Sequence, residues 1–463
     1  LYINDPNMSR GFLRRTRLLA LSLALVLPAA SLHAQGNTCG LDAGRADEVR
    51  QLARQMVERG HAPGVVIDIR CAGQAWLQLA AGLADRERAV AMRLDHRFRI
   101  YSMTKPMTSA LALMLVEDGL LSLDDPVARY LPAFAQAAAH NGSAVFPPEQ
   151  VPLRRAVTMR DLLRHTAGLT YLSPLPDPVT RSYVARGIDH GGGLVIKPGD
   201  GTGPVSSLQE LIERLAAVPL MTQPGARFTY GNATDVLGRV LEVASGQTLE
   251  ALMTTRLLQP LGMQSTGFMV SPAHHHQLTA AYMAPSLAGA GGALLRHAAM
   301  SQVPPSHFTL MDDPQNSVFG KNRPIHFGGA GLVSTAGDYH RFLSLMAQSG
   351  SWQGREVLRR STVAWMTSNQ VEPAALQGTT LERQGLGFGL GFATFQHPKL
   401  APVAVPRDGY FWGGAASTYF WVDPDSGITG VLMTQVFGGD VAPYFSELLE
   451  RLYRPKPRAL TAY

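Results

Sequence analysis

Two short runs near the start of the chain, GVVIDIRC (64–71) and QAWLQLAAG (74–82), are alternating or β-branched and flank the turn pair Ala72-Gly73, a pattern that predicts a hairpin. Residues 98–101 form a third short extended piece. Directly after it Met107, Ala110, Leu111, Met114 and Leu115 recur at helical spacing up to Asp118-Gly119. The middle of the chain is mostly helical in pattern: Val236, Leu237, Val240, Leu241 and Ala244 form one stripe, and Thr335 with Asp338 predicts a capping box ahead of a helix over 339–346. Two irregular stretches, 172–205 and 284–323, are expected to be loops over a site. Strand patterns return at 385–395, 409–412, 417–422 and 428–435, followed by an amphipathic helix over 442–453.

Strands at both ends with helices between them predict an α/β (α+β) fold, in which the terminal segments build one antiparallel sheet that holds a large, mostly helical insertion. The expected organisation is a leader over 1–34, a sheet domain from 35–105 plus 385–463, and a helical domain with loops over 106–384. An active site would lie where the sheet and the insertion meet.

The leader is read from its order of regions. Arg10, Arg14, Arg15 and Arg17 precede an apolar run over 18–27, then Pro28 and small residues ending at Ala34, as in a secretory signal peptide cut after Ala34. Residues 1–7 precede a candidate start at Met8 and read as a cloning or gene-calling remnant. The run is too short to span a bilayer, so the processed chain is expected to be periplasmic or secreted and free of the membrane. Removing 1–34 lowers the net charge from +6 to +3. Without a clustered basic stripe, nucleic acid is not an expected partner. Cys39 and Cys71 are the only cysteines; in an oxidising compartment they would bridge, and the alternative is a pair of buried thiols.

Ser102-Met103-Thr104-Lys105 is the one place where a lysine follows a serine by three positions, in a chain with five lysines and 36 arginines. A hydroxyl and an amine at that spacing share a helical face, and an amine supplies the base that an unassisted serine lacks. At a helix start, free amides also favour developing negative charge. Alone the motif is equally a capping serine with a solvated lysine. Two other segments change that: Tyr230-Gly231-Asn232, where a phenol near an ammonium can pass a proton, and Trp412-Gly413-Gly414-Ala415 on a terminal strand, where two glycines let a substrate approach the backbone. The amides of Ser102 and Ala415 would then bind an oxyanion.

In these motifs the chain resembles the serine β-lactamase-like hydrolases, which include class C β-lactamases and D-alanyl-D-alanine peptidases, and most closely the family VIII carboxylesterases. The likeness extends over LLRHTAGL (162–169), QPGARFTYGNATDVLGRVLEVASG (223–246), PLGM (260–263), GGAGLVSTAGDYHRF (328–342), GLGFGLGF (385–392) and WGGAASTYFWVDP (412–424). The resemblance implies Ser102 as nucleophile, Lys105 and Tyr230 as the proton-handling pair, and Asn232 as a hydrogen-bond partner of Lys105 and of substrate. It also implies Ser102 and Ala415 as oxyanion amides. Where the β-lactamases and peptidases carry a lysine or histidine followed by Thr/Ser and Gly, this chain has Trp412, Gly413 and Gly414. It therefore lacks the cation and hydroxyl that recognise a substrate carboxylate.

The expected function is hydrolysis of neutral, short- to medium-chain carboxylic esters through an acyl-enzyme, with Lys105 kept neutral by burial and Tyr230, no metal or cofactor, and weak β-lactam turnover at most. The rivals are a β-lactamase or D-alanyl-D-alanine carboxypeptidase, and a catalytically silent scaffold or sensor of the same fold. Other motifs carry less. His190-Gly191-Gly192-Gly193 lacks the Gly-x-Ser-x-Gly elbow that would give it meaning, and His274-His275-His276 reads as a solvated turn. His165 reads as a loop anchor through hydrogen bonds, and the glycines of 385–391 follow no nucleotide-binding pattern. Trp365, Trp412 and Trp421 are expected in the core or a pocket wall, with a substrate role for Trp412 alone.

Overall fold

Ala72 and Gly73 both take positive φ, 48° and 79°, as a tight two-residue hairpin requires, and they join β1 (Gly64–Cys71) to β2 (Gln74–Asp85). This computed structural model describes residues 39–172, 177–188, 205–284, 308–321, 325–397, 406, 408–438 and 441–454. The leader, His190 to Gly193 and most of the two irregular stretches lie outside the described residues.

The remaining strands of the main sheet are β3 (Val90–Ala91), β4 (Leu386–Phe388), β5 (Ala393–Phe395), β6 (Tyr410–Gly414), β7 (Thr418–Asp423) and β8 (Ile428–Met433). They form one antiparallel sheet in the order β4-β5-β6-β7-β8-β1-β2-β3. The termini meet at its centre, where Val66 of β1 is opposite Met433 of β8. The flanking helices used below are α1 (Ala43–Glu58), α2 (Thr104–Glu117), α3 (Ala233–Ser245), α4 (Ala336–Ala347) and α5 (Ala442–Tyr453).

Alternation sorts the sheet's side chains. Val65, Ile67, Ile69, Trp421 and Leu432 pack with Val49, Leu52 and Met56 of α1 and Leu448 of α5. Val66, Phe420, Val422 and Val431 join Met107 and Leu111 of α2, Val236 of α3, and Tyr339 and Phe342 of α4. β8 is buried along its whole length, which explains its near-continuous apolar run. Each such side chain contributes roughly 1.5–3 kcal/mol by leaving water.

Three local expectations differ from what forms. The run 385–395 is two strands, because Gly391 takes φ +104° and an added Cβ on Gly389 would lie 2.0 Å from the Met366 carbonyl, so the chain bends back there. Thr335 caps α4 by accepting from the Asp338 amide at 3.1 Å. The Asp338 side chain does not complete a capping box, because it accepts instead from the Ser265 amide and the Thr266 hydroxyl. Trp421 is fully buried, but Trp365 is 50% exposed and belongs to the surface.

Cys39 and Cys71 are disulfide-bonded, with Cα atoms 6.0 Å apart. The bridge closes a loop with a sequence separation of 32, enough to stabilise by about 3–4 kcal/mol through loss of unfolded-chain entropy. A thermal melt with and without dithiothreitol should therefore show a drop of several degrees on reduction, and Cys71→Ser should reproduce it; superimposable melts would mean that the bridge contributes nothing.

Candidate active site

Ser102 occupies a single 3-10 turn, Tyr101–Met103, immediately before α2. That turn is held in an unusual shape: Tyr101 has φ +42°, a left-handed conformation that costs a non-glycine residue of order 1–3 kcal/mol and persists only where the surroundings enforce it. The enforcement is visible on both sides. The Tyr101 ring packs edge-on to Phe437 at 5.2 Å and Phe319 at 6.2 Å. Two residues upstream, fully buried Arg99 donates to Asp312 Oδ2 and the Thr279 carbonyl at 2.6 Å and to Ser317 Oγ at 3.0 Å. Gln435 grips the Arg99 backbone, accepting from its amide at 2.7 Å and donating to its carbonyl at 3.2 Å.

Lys105, one turn on, is 1% exposed. Its Nζ donates to Ser102 Oγ at 3.0 Å, to the Tyr171 hydroxyl at 3.0 Å and to the Gly329 carbonyl at 2.8 Å. It also lies 4.7 Å from the centre of the Tyr230 ring. Burial disfavours the ammonium, yet Tyr171, Tyr230 and Asp235 outweigh it and hold the amine's pKa above its ordinary value. The expectation of a lysine kept neutral by burial is thus reversed: at rest Lys105 is an ammonium with three acceptors.

Tyr230 is carried by the loop that enters α3. Its predecessor Thr229 donates its amide to the His165 carbonyl at 2.7 Å, and the tyrosine ring lies 4.8 Å from His165, 5.5 Å from Tyr171 and 5.3 Å from Trp412. His165, buried and with φ +56°, anchors this loop through its backbone and ring faces. Its Nδ1 has no hydrogen-bond partner. Burial, then the charge of Lys105, hold the imidazole well below its usual pKa and therefore neutral.

Asn232 departs from its expected role. Its Nδ2 donates to the Thr170 carbonyl at 2.7 Å and its Oδ1 is buried without a hydrogen-bond partner. Lys105 bonds Tyr171 and Gly329 instead, so Asn232 ties the Tyr230 loop to the segment after LLRHTAGL rather than holding the amine. The physical reason is the crowding of that crossing: an added Cβ on Gly231 would lie 2.2 Å from the Leu169 carbonyl.

The third segment closes the site. Trp412, half-buried on β6, places its ring against Tyr230 and 5.2 Å from Phe388. At the end of β6, an added Cβ on Gly414 would lie 2.3 Å from the Ile100 carbonyl, and one on Gly413 would lie 2.9 Å from the Tyr419 ring. The two glycines are therefore needed first for the strand to approach the Ser102 turn and its neighbour strand, not for the approach of a substrate. Ala415 follows, exposed, in the turn after β6.

Ser102, Lys105, Tyr230, Trp412 and Gly414 are thus brought together, with Ala415 beside them. Tyr171, Asp235 and Gly329 are not among the expected site residues, although all three fall within or just beyond the segments that carry the family resemblance. The one sequence signal was Asp235 itself, an acid among the apolar positions that open α3. His274, His275 and His276 lie on the turn Pro272–Gln277, where the first two rings bond to Ser271 Oγ and the Val270 carbonyl.

The family model described as Beta-lactamase matches residues 49–449. Protein Rv1367c of Mycobacterium tuberculosis is 32% identical over 362 residues, covering 76% of this chain and 81% of its own. Esterase EstB of Burkholderia gladioli is 30% identical over 404 residues, covering 84% of this chain and 90% of its own. Among solved structures, EstCE1, a hydrolase with promiscuous acyltransferase activity, superposes with a TM-score of 0.69 at 26% identity, over 88% of this chain and 98% of its own.

Proposed function

The chain belongs to the beta-lactamase family, and from that premise we propose that it is a serine carboxylesterase close to the family VIII esterases, acting on neutral carboxylic esters. The observation that carries the proposal is the 3.0 Å hydrogen bond between Ser102 Oγ and Lys105 Nζ, in a site walled by Tyr230 and Trp412. It is supported by the likeness to esterase EstB over most of both chains.

In this reading Ser102 Oγ attacks the ester carbonyl and its proton enters the Lys105–Tyr230 pair. Because Lys105 rests as an ammonium, the competent form is the one in which the pair has already lost one proton, and that loss belongs to the pair rather than to either residue. The oxyanion lies between the amides of Ser102 and Ala415, and the pair returns the proton to the departing alcohol. Water then hydrolyses the acyl-enzyme by the reverse path.

Trp412 is the argument for esters over β-lactams. An indole beside Phe388 offers apolar surface and no charge, so a substrate carboxylate would be desolvated there without a cation to pair with. The leader pattern over residues 8–34 and the Cys39–Cys71 bridge support export to the periplasm or medium. A panel of p-nitrophenyl esters from acetyl to decanoyl, run beside nitrocefin, tests the substrate class. Turnover of a short- or medium-chain ester should exceed that of nitrocefin by about a hundredfold or more. Faster nitrocefin turnover would favour a β-lactamase.

A further inference from the structure

Asp235 opens α3 with its carboxylate buried at 1% exposure. Oδ1 accepts from the Gly329 amide at 2.9 Å, and the carbonyl of that same Gly329 accepts from Lys105 at 2.8 Å. Oδ2 is buried without a hydrogen-bond partner. The point that a Cβ on Gly329 would occupy is 2.9 Å from Asp235 Oδ2 and 3.2 Å from the Tyr171 hydroxyl, so the acid and the phenol crowd one bare glycine from two sides.

An asparagine would accept the same bond from Gly329 without placing a charge in the core. A carboxylate with one oxygen unbonded is a costly way to hold a loop, unless the charge itself is used.

Resting on the reading of Ser102 as nucleophile, we infer that Asp235 is a positioning residue for the reaction: through Gly329 it is the fixed negative charge that holds a proton on Lys105 and so sets the pH at which Ser102 becomes nucleophilic. The titratable groups that surround it are Lys105 from α2, Tyr171 and His165 from the segment after the helical turn Met159–Leu163, and Tyr230 from the loop before α3. The neighbouring helices bring acids that are engaged elsewhere: Asp161 with Arg155 and Arg164, Glu210 with Arg214, and Glu250 with His326. Burial raises the Asp235 carboxyl to about 6 although Lys105 pulls it down, so it is ionised at neutral pH.

The sign follows from the charge. An ionised Asp235 favours the Lys105 cation, and the competent form has given up one proton from the Lys105–Tyr230 pair. Neutralising Asp235 therefore eases that loss and moves the acidic limb of reactivity to lower pH. The test is the rate of Ser102 labelling by a fluorophosphonate between about pH 7 and pH 11, in wild type and in Asp235→Asn, a span in which Asp235 is ionised and which reaches past the ordinary tyrosine and lysine values of about 10. The expected result is a limb displaced downwards by about one pH unit, read below its midpoint as labelling about tenfold faster than wild type at the same pH. Labelling that is slowed or unchanged across this range would mean a purely structural acid and would overturn the inference.

Should Asp235→Asn not fold, Gly329→Ala, whose methyl would press on Oδ2, should displace the limb in the same direction, and an unmoved limb there would overturn it equally. Ester turnover measured alongside separates the two readings: a displaced limb without ester turnover removes the substrate class but keeps Asp235, whereas ester turnover with an unmoved limb does the reverse.

Discussion

Ser102→Ala should lower kcat/KM on p-nitrophenyl butyrate by about 10⁴-fold or more, while leaving the melting temperature within a few degrees of wild type. The rate loss follows from chemistry: among the described residues Ser102 carries the one aliphatic hydroxyl bonded to Lys105, and an oxyanion site without a nucleophile retains only residual catalysis. The intact fold follows from the bonding. The Ser102 hydroxyl is one of three acceptors for Lys105, and the Tyr171 hydroxyl and Gly329 carbonyl remain when it is removed. Near-wild-type turnover in a folded Ser102→Ala protein would remove Ser102 from the mechanism.

Lys105→Met should be nearly as damaging to activity, by about 10³-fold or more, and should in addition change how stability depends on pH. Methionine fills much of the lysine's volume but donates no bond to Ser102, Tyr171 or Gly329, and it removes the positive charge that opposes Asp235. With that charge gone, burial raises the Asp235 carboxyl further above the value of about 6 that it has beside Lys105. A carboxyl whose folded pKa is raised contributes stability that is fully present below its unfolded value, near 3.9, and lost as pH rises through the folded one. The gap in melting temperature between Lys105→Met and wild type should therefore be small at about pH 5 and wide at about pH 8. A gap that does not change with pH would show that Lys105 and Asp235 do not share an electrostatic balance.

Much of this site was legible in the sequence because it depends on short spacings. Ser102 and Lys105 are one turn apart whatever else the chain does, and the short, mostly apolar runs of β1, β7 and β8 stand in consecutive residues. The expected sheet from both termini forms, with α5 at the predicted residues 442–453. What could not be read depends on distant segments meeting.

Nothing in the pattern around Tyr171 or Gly329 says that one will offer a hydroxyl and the other a carbonyl to an amine 66 and 224 positions away. The family resemblance implies Asn232 as a partner of Lys105. The structure turns its amide to Thr170, because Gly231 presses against the 169–170 backbone and fixes the direction of the following side chain. The protonation state of Lys105 was misjudged for the same reason. Burial was foreseeable from one turn of helix, but the acid and the second phenol that overcome it arrive from other elements.

The glycines of the Trp412 segment illustrate a related limit. Their presence was a sound sign of close approach, yet what approaches is the Ile100 carbonyl and Tyr419, which only the folded register between β6, β7 and the Ser102 turn reveals.

The central claim is that the hydroxyl of Ser102 is the group made nucleophilic by this arrangement, and peptide mapping after reaction with a fluorophosphonate tests it most directly. The account predicts a single stoichiometric adduct on the peptide containing Ser102, lost in Ser102→Ala and strongly slowed in Lys105→Met. An adduct on another residue, or folded wild-type protein that stays unmodified, would contradict it.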